Sequence, residues 1–343
     1  MSKKKVIITG GLGYIGSHTV VDLIEKGFDV ISIDDLSRAN KFSSEGIKKI
    51  TGTAVINYNV NACDLESVRA VFKEHADAAG IIHFAAYKDV LESVEEPLVY
   101  YHNNVASTVN ILKCALEFGI KHFIFSSSCT VYGNIKTLPV NEDTPFGEPA
   151  CPYAHTKQMG EQMVKDTAKG NDIRFVLLRY FNPAGAHTSG HIGEFLHSKG
   201  HHLVPVITQV AAGIREKLTV NGNDYPTRDG TGLRDFIHVM DIADAHTLAL
   251  KKSLNNEFND QIEVFNLGTG EGITVMEAIN CFEKVNGVKL NYSVGPRREG
   301  DIAAIYATNA KAKNALKWAP KYGLDDIMRT AWVWQKKMSD LQN

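Results

Sequence analysis

From Lys5 onward the chain alternates short apolar runs with longer amphipathic stretches, the pattern of a parallel sheet covered by helices on both faces. The runs Val6–Thr9, Val30–Asp34, Ala54–Asn59, Gly80–Ala85, His122–Ser126 and Arg174–Arg179 are rich in β-branched and aromatic side chains and only four to six residues long. Such runs suit strands buried on both faces, which need no polar alternation, and six of them fill a doubly wound sheet. Between them, Asp64 is placed to N-cap a helix in which Val68, Val71 and Phe72 recur at helical spacing, and Pro97 opens a long helix ending near Gly119. A further helix follows Pro152 and carries Tyr153, Lys157, Glu161 and Val164.

After Arg179 the pattern changes. Asn182-Pro183-Ala184-Gly185 is a turn signal, the stretch to about His202 is rich in Gly and His, and later apolar segments are shorter, closing with a helix through Trp332 and Trp334. The reading is therefore an α/β protein with a first domain over residues 1–182, to which a segment near 233–250 returns, and a smaller C-terminal α/β domain over 183–343 that holds the substrate.

Composition narrows the function classes. With 343 residues, 44% hydrophobic and 22% charged, the chain is neither disordered nor fibrous. Its 37 basic and 39 acidic residues leave a formal charge of −2, so no overall attraction draws it to nucleic acid or to an anionic membrane. The apolar run after Lys3-Lys4-Lys5 ends at Ile8, and nothing later reaches the roughly eighteen apolar residues of a membrane span, so a soluble, unanchored protein is expected. Five scattered cysteines with no Cys-x-x-Cys pair argue against a disulfide framework or a thiolate zinc site and suit the cytoplasm. His197 and His201 have helical spacing, but Gly200 spoils the helix, so no metal is expected.

Two constellations carry chemistry. Gly10-x-x-Gly13-x-x-Gly16 follows the first strand directly and opens a helix, which lets the backbone approach a pyrophosphate lying against the helix N-terminus. Asp34 ends the second strand, eighteen residues after Gly16, where a carboxylate can accept hydrogen bonds from both hydroxyls of an adenosine ribose. This Rossmann-type pattern favours NAD; Arg38 leaves NADP open, although Asp34 would repel a 2′-phosphate. The second constellation is Tyr153-x-x-x-Lys157, which puts a phenol and an ammonium on one helix face, where the cation is expected to lower the phenol pKa toward that of a general base. Tyr132 and Lys136 repeat the spacing, but Gly133-Asn134 between them marks a turn. Ser128 lies just past the fifth strand, at the edge where such sheets bind ligands.

Together these residues resemble the extended short-chain dehydrogenase/reductase family. The segments Gly10-Gly11-Leu12-Gly13-Tyr14-Ile15-Gly16-Ser17-His18-Thr19, Phe125-Ser126-Ser127-Ser128-Cys129-Thr130-Val131-Tyr132-Gly133, Leu178-Arg179-Tyr180-Phe181-Asn182-Pro183 and Arg297-Arg298-Glu299-Gly300-Asp301 are similar to its members that invert C4 of UDP-hexoses. Sugar-nucleotide 4,6-dehydratases place an Asp-Glu pair where this chain has Cys129-Thr130. The resemblance implies interconversion of UDP-galactose and UDP-glucose: the Tyr153 phenolate takes the 4-hydroxyl proton, hydride passes to bound NAD, the 4-keto sugar rotates, and hydride returns to its other face. It also implies a cofactor site of Gly10, Gly13, Tyr14, Ile15, Gly16, Asp34, Asn61, Phe84, Ala85, Lys88, Asn103, Tyr153, Lys157 and Phe181.

For the substrate the resemblance implies Ser128, Tyr153, Asn182, His202, Asn221, Arg234, Arg298 and Ile305, with the two arginines on the diphosphate, where a guanidinium binds in bidentate fashion. Asn61 stands in place of an aspartate at the adenine, His201-His202 in place of an Asn-Asn pair near the UDP, and Asn221 in place of a phenylalanine beside the uracil. Ile305 occupies a position that limits the sugar pocket and is intermediate in size, which implies some activity on N-acetylated UDP-sugars. A homodimer is implied through the helices Pro97–Phe118 and Pro152–Thr167. The alternatives are another nucleotide-sugar epimerase or oxidoreductase on the same scaffold, and a non-catalytic NAD-binding regulatory protein.

Overall fold

A computed structural model describes residues 3–39, 42–195, 202–298 and 301–342. Six strands, β1 (Lys5–Thr9), β2 (Asp29–Ile33), β3 (Ile56–Tyr58), β4 (Gly80–His83), β5 (His122–Ser128) and β6 (Arg174–Tyr180), lie in one sheet with a seventh, Ile262–Leu267. All pairings in it are parallel, and the order is Ile262–Leu267, β6, β5, β4, β1, β2, β3. The strand order reverses between β1 and β4, which opens a crevice beyond their carboxyl ends.

The apolar runs contain little polar alternation because both sheet faces are covered. Val6 and Ile8 of β1 enter a core with Val20, Leu23, Ile242 and Leu250, whereas Ile7 between them enters a second core with Val68, Phe72, Ile111 and Phe175. Asp64 caps the helix Leu65–Glu74 by accepting from the Glu66 and Ser67 amides, and Pro97 and Pro152 each begin a helix, Pro97–Glu117 and Pro152–Ala168.

The seventh strand departs from the six-strand expectation. Ile262–Leu267 follows the helix Val239–Leu254, which packs its Ile242, Ala245, Ala249 and Leu250 onto the sheet. Its first three residues are only half-buried and its last three buried, which hides the strand signal in a region of short, polar-interrupted segments. The β3 strand is also shorter than the run that predicts it.

The remaining elements stand over the carboxyl edge. Leu218–Asn221 pairs in parallel with Tyr292–Gly295, and Leu233–Arg234 lies between Ile273–Thr274 and Ala304–Ile305. A separate core holds these to the helices Leu203–Ala211, Val275–Asn286 and Leu324–Gln342 through Val204, Ile207, Phe282, Ile327 and Met328.

Candidate active site

The glycine turn is shaped by close backbone approach. Gly10 has φ +68°, and a Cβ there would lie 2.9 Å from the Ala85 nitrogen. A Cβ on Gly16 would overlap the Gly10 carbonyl oxygen. Gly13 is the N-cap of the helix Tyr14–Glu25 and supplies no side-chain cap, so the first-turn amides face the crevice as an anion site. Asp34 is buried at the end of β2, with Oδ2 accepting from Leu12 N at 3.0 Å and Oδ1 from Leu36 N at 2.9 Å. Burial pushes its pKa up, opposed by those amides; the carboxylate is thereby fixed beside the turn. These features fit a dinucleotide: a cradle that side chains would fill, an uncapped helix start, and a fixed ribose acceptor.

Beside β3, Asn61, Asn103 and Tyr87 help line a cavity of about 340 Å³. The Asn61 Oδ1 accepts from Cys63 N at 2.8 Å, and Asn103 donates to Asn104 Oδ1 at 3.0 Å. Arg38 is engaged with Glu92 at 2.7 Å and lies over the Tyr87 ring. Phe84 packs against His246, and the Ala85 amide donates to Thr9 Oγ1.

Ser128 at the end of β5 and Tyr153 in the first turn of its helix are both buried at the carboxyl edge. The Ser128 hydroxyl favours the phenolate, but burial dominates and holds the Tyr153 phenol well above its ordinary pKa. The expected lowering by Lys157 is therefore corrected. Lys157 Nζ donates to the Ser126 carbonyl at 2.8 Å and lies 5.9 Å from the Tyr153 ring centroid, and burial lowers its own pKa to about 8 against the opposing pull of Glu161. Two low-dielectric effects push the pair toward its neutral form. Tyr132 lies in a short 3-10 turn before Gly133, and its hydroxyl is used by Asn266 and Arg179.

Behind these residues lies a network that pattern reading did not assign. Glu161 Oε1 accepts from Ser127 Oγ at 2.6 Å, and Arg179 clasps the same carboxylate at 2.8 and 2.7 Å. Asn104 ties the loop after β4 to the catalytic helix, bonding the Tyr87 backbone and Thr156 Oγ1. In the sequence Glu161 belongs to no motif, and its i, i+4 relation to Lys157 is the local signal that points to it.

On the substrate side, Phe181 and Ile305 pack in one cluster with Val131 and Tyr132. Ile305 pairs in register with Arg234, whose guanidinium meets Asp301. The Asn182 Oδ1 is buried without a hydrogen-bond partner. Asn221 and Gly295 end a parallel ladder whose continuation carries Arg297, stacked over Tyr225 and paired with Asp224, and then Arg298. Glu299, Gly300, His197 and His201 lie outside the described residues.

Tyr14 donates its hydroxyl to the Gly185 carbonyl at 2.7 Å, and Ile15 packs on the core. Lys88 and His202, which the family resemblance gives to different ligands, meet on Glu194: each lies 2.8 Å from its Oε1. Burial disfavours the Glu194 carboxylate, yet Lys88 and His202 overcome this and hold its pKa down to about 2.

A sheet that reverses order beside a glycine-lined helix start, with a Ser-Tyr-Lys set at its edge, defines a nucleotide-dependent enzyme of the short-chain dehydrogenase type. The chain belongs to the NAD dependent epimerase/dehydratase family, whose model matches residues 6–268. It is similar to the UDP-glucose 4-epimerase of Bacillus subtilis (strain 168), 45% identical over 331 residues covering 96% of each chain. The fold is similar to that of the Stenotrophomonas maltophila UDP-glucose-4-epimerase with bound NAD and formylated UDP-arabinopyranose, at 41% identity and a TM-score of 0.95 over 98% of this chain and 99% of that one. The Bifidobacterium longum UDP-glucose 4-epimerase in complex with NAD+ and UDP follows at 40% identity and 0.92, over 98% and 99%.

Proposed function

We propose that this chain is an NAD-dependent isomerase that interconverts UDP-galactose and UDP-glucose through transient oxidation at sugar C4. The observation that carries the reading is the burial of Ser128 and Tyr153 together, beside Lys157, on the sheet edge that also bears the glycine cradle. Gly10, Gly13, Tyr14, Ile15 and Gly16 would receive the pyrophosphate, Asp34 the adenosine ribose, and Asn61 and Asn103 the adenine side. When bound, NAD accepts and returns the C4 hydride. Ser128 holds the sugar 4-oxygen, Tyr153 takes and later restores its proton, and Lys157 supports the phenolate as it forms. Arg234 and Arg298 serve the diphosphate, and Asn182, His202 and Asn221 the nucleotide sugar around it.

The buried Asn182 oxygen without a partner supports a ligand on that side, because an orphaned polar atom costs free energy unless something meets it. Denaturing the purified protein should release NAD, and the native protein should convert UDP-galactose to UDP-glucose with no added cofactor and no net NADH. Net NADH accumulation would select an oxidoreductase instead, and NAD release without conversion of any nucleotide sugar a binding protein. Ile305 supports some turnover of UDP-N-acetylglucosamine; none at concentrations that saturate UDP-glucose would end that reading.

A homodimer through the helices Pro97–Glu117 and Pro152–Ala168 is supported by exposed apolar side chains, Leu98 at 78% and Val99 at 44%. Light scattering at the mass of one chain would refute it. The five free cysteines support a reducing, cytoplasmic compartment, and no helix among the described residues is long and apolar enough to cross a membrane.

A further inference from the structure

Lys88 follows β4, whereas His202 opens the helix Leu203–Ala211, 114 positions away. Under the proposed function they serve different ligands, the dinucleotide and the nucleotide sugar. Yet both side chains end on one oxygen of Glu194, whose side chain is 8% exposed while theirs are 45% and 38% exposed. Glu194 itself is held by the chain beneath it, where its carbonyl accepts from Trp334 Nε1 at 2.8 Å.

The proton positions follow from the charges. An ionised carboxylate 2.8 Å from His202 Nδ1 requires the hydrogen on Nδ1, since two acceptors would repel at that distance. Lys88, 3.3 Å from the same nitrogen, must then donate to Glu194 and not to the ring. The imidazole is left with Nε2 as its nitrogen for a ligand. Without the carboxylate, Nδ1 would be free to accept from the Lys88 ammonium at 3.3 Å, which moves the ring hydrogen to Nε2 and reverses what the ring offers a ligand. Long, half-exposed side chains also lose rotamer entropy when a ligand orders them, and an anchor already in place reduces that loss.

We propose that Glu194 is a positioning residue: by holding Lys88 and His202 on one carboxylate oxygen it sets both groups at once and couples the dinucleotide side of the site to the diphosphate side. The assignment of the two sides rests on the proposed function. Among the sequence motifs Glu194 had no role, because its partners lie 106 positions before it and 8 after it.

The test is a double-mutant cycle read by calorimetric titration of UDP into the purified, NAD-containing protein. Glu194→Gln and His202→Ala should each weaken UDP about tenfold, the loss of one charge-assisted contact. The double variant should be no weaker than the worse single one, because His202 acts only as Glu194 holds it. Independent, multiplying losses would overturn the proposal. Glu194→Gln and Lys88→Met should likewise both lower the NAD retained through gel filtration, again without adding.

For turnover, Glu194→Gln should raise KM for UDP-galactose more than it lowers kcat, since Ser128 and Tyr153 are untouched, and Glu194→Asp should recover part of the loss. An equal fall in kcat with unchanged KM would count against positioning. Should Glu194→Gln fail to fold in urea melts, Lys88→Met and His202→Ala are combined instead: losses that do not add support the shared anchor, and losses that multiply overturn it. If the wild type binds UDP and the cycle couples but UDP-galactose is not converted, the proposed function fails and the coupling stands. If conversion occurs and the losses multiply, only the coupling fails. Absence of UDP binding by the wild type overturns both.

Discussion

Tyr153 illustrates how residue spacing and residue environment make separate statements. A lysine one turn away predicts an acidified phenol, but the burial that excludes water acts on both members and drives the phenol up and the ammonium down to about 8. Burial therefore disfavours both the phenolate and the ammonium, and a charged Lys157 is what would favour phenolate. Replacing Tyr153 with Phe should lower kcat by about 10²–10⁴-fold, the usual worth of general acid-base catalysis, while NAD is retained; unchanged conversion of UDP-galactose would remove Tyr153 from the chemistry. In Lys157→Met, residual kcat should keep rising with pH beyond the point where the wild type levels off, because the phenolate then forms without its cation. Parallel kcat profiles for the two proteins would contradict this. The spacing of Ser128, Tyr153 and Lys157 was legible in the sequence, but their ionisation was not, since desolvation belongs to the surrounding fold.

At the level of elements, β5, β6 and the helix Pro152–Ala168 are joined by one buried carboxylate. Glu161 is 0% exposed and Arg179 is 4% exposed at the side chain, and Ser127 completes the set next to Ser128. Removing one partner strands a charge, so Arg179→Met should lower stability in urea melts by about 3–5 kcal/mol, and adding Glu161→Leu should return part of it. A loss under 1 kcal/mol in the single variant would mean that water or another group meets Glu161. The glycine turn makes a different kind of claim: Gly16→Ala must push the Gly10 carbonyl aside, with a stability loss of about 1–3 kcal/mol and poorer NAD retention on gel filtration. Full retention would show that the turn can relax.

The same scale explains what pattern reading captured. The first six strands came through because β-branched runs and helical spacing are local signals. The strand Ile262–Leu267 did not, because its opening residues are only half-buried and its place at the sheet edge is fixed by β6, more than eighty residues earlier in the chain.

For the molecule as a whole, burial of neutral histidines sets the response to acid. Burial lowers the pKa of His18 and His83 to about 3 and of His238 and His246 to about 4. Unfolding frees them to bind protons from about pH 6.5 downward, so stability should fall as pH drops from about 6.5 toward 4. Glu194, at about 2, adds a loss that sets in as pH falls through the ordinary glutamate value and is complete below about 2. Asp241, raised by burial to about 6, works the other way in part of the window, since the folded form keeps its proton there. Burial also raises Asp34, Glu142 and Asp235, and also lowers His122, His187 and His191, so histidines outnumber the opposing carboxyls; the urea midpoint should be lower at pH 5 than at pH 7.5, and an unchanged midpoint would contradict this balance. The sequence alone determined the strands of the first half, the glycine turn that follows β1, and the helix face shared by Tyr153 and Lys157, because each is set by sterics and periodicity within a few residues. The meeting of Lys88 and His202 on Glu194, the clasp of Arg179 on Glu161 and the return of Ile262–Leu267 to the sheet were decided only by the tertiary structure: each joins positions whose separation along the chain leaves no periodic trace, and each depends on burial that arises only once the chain has packed.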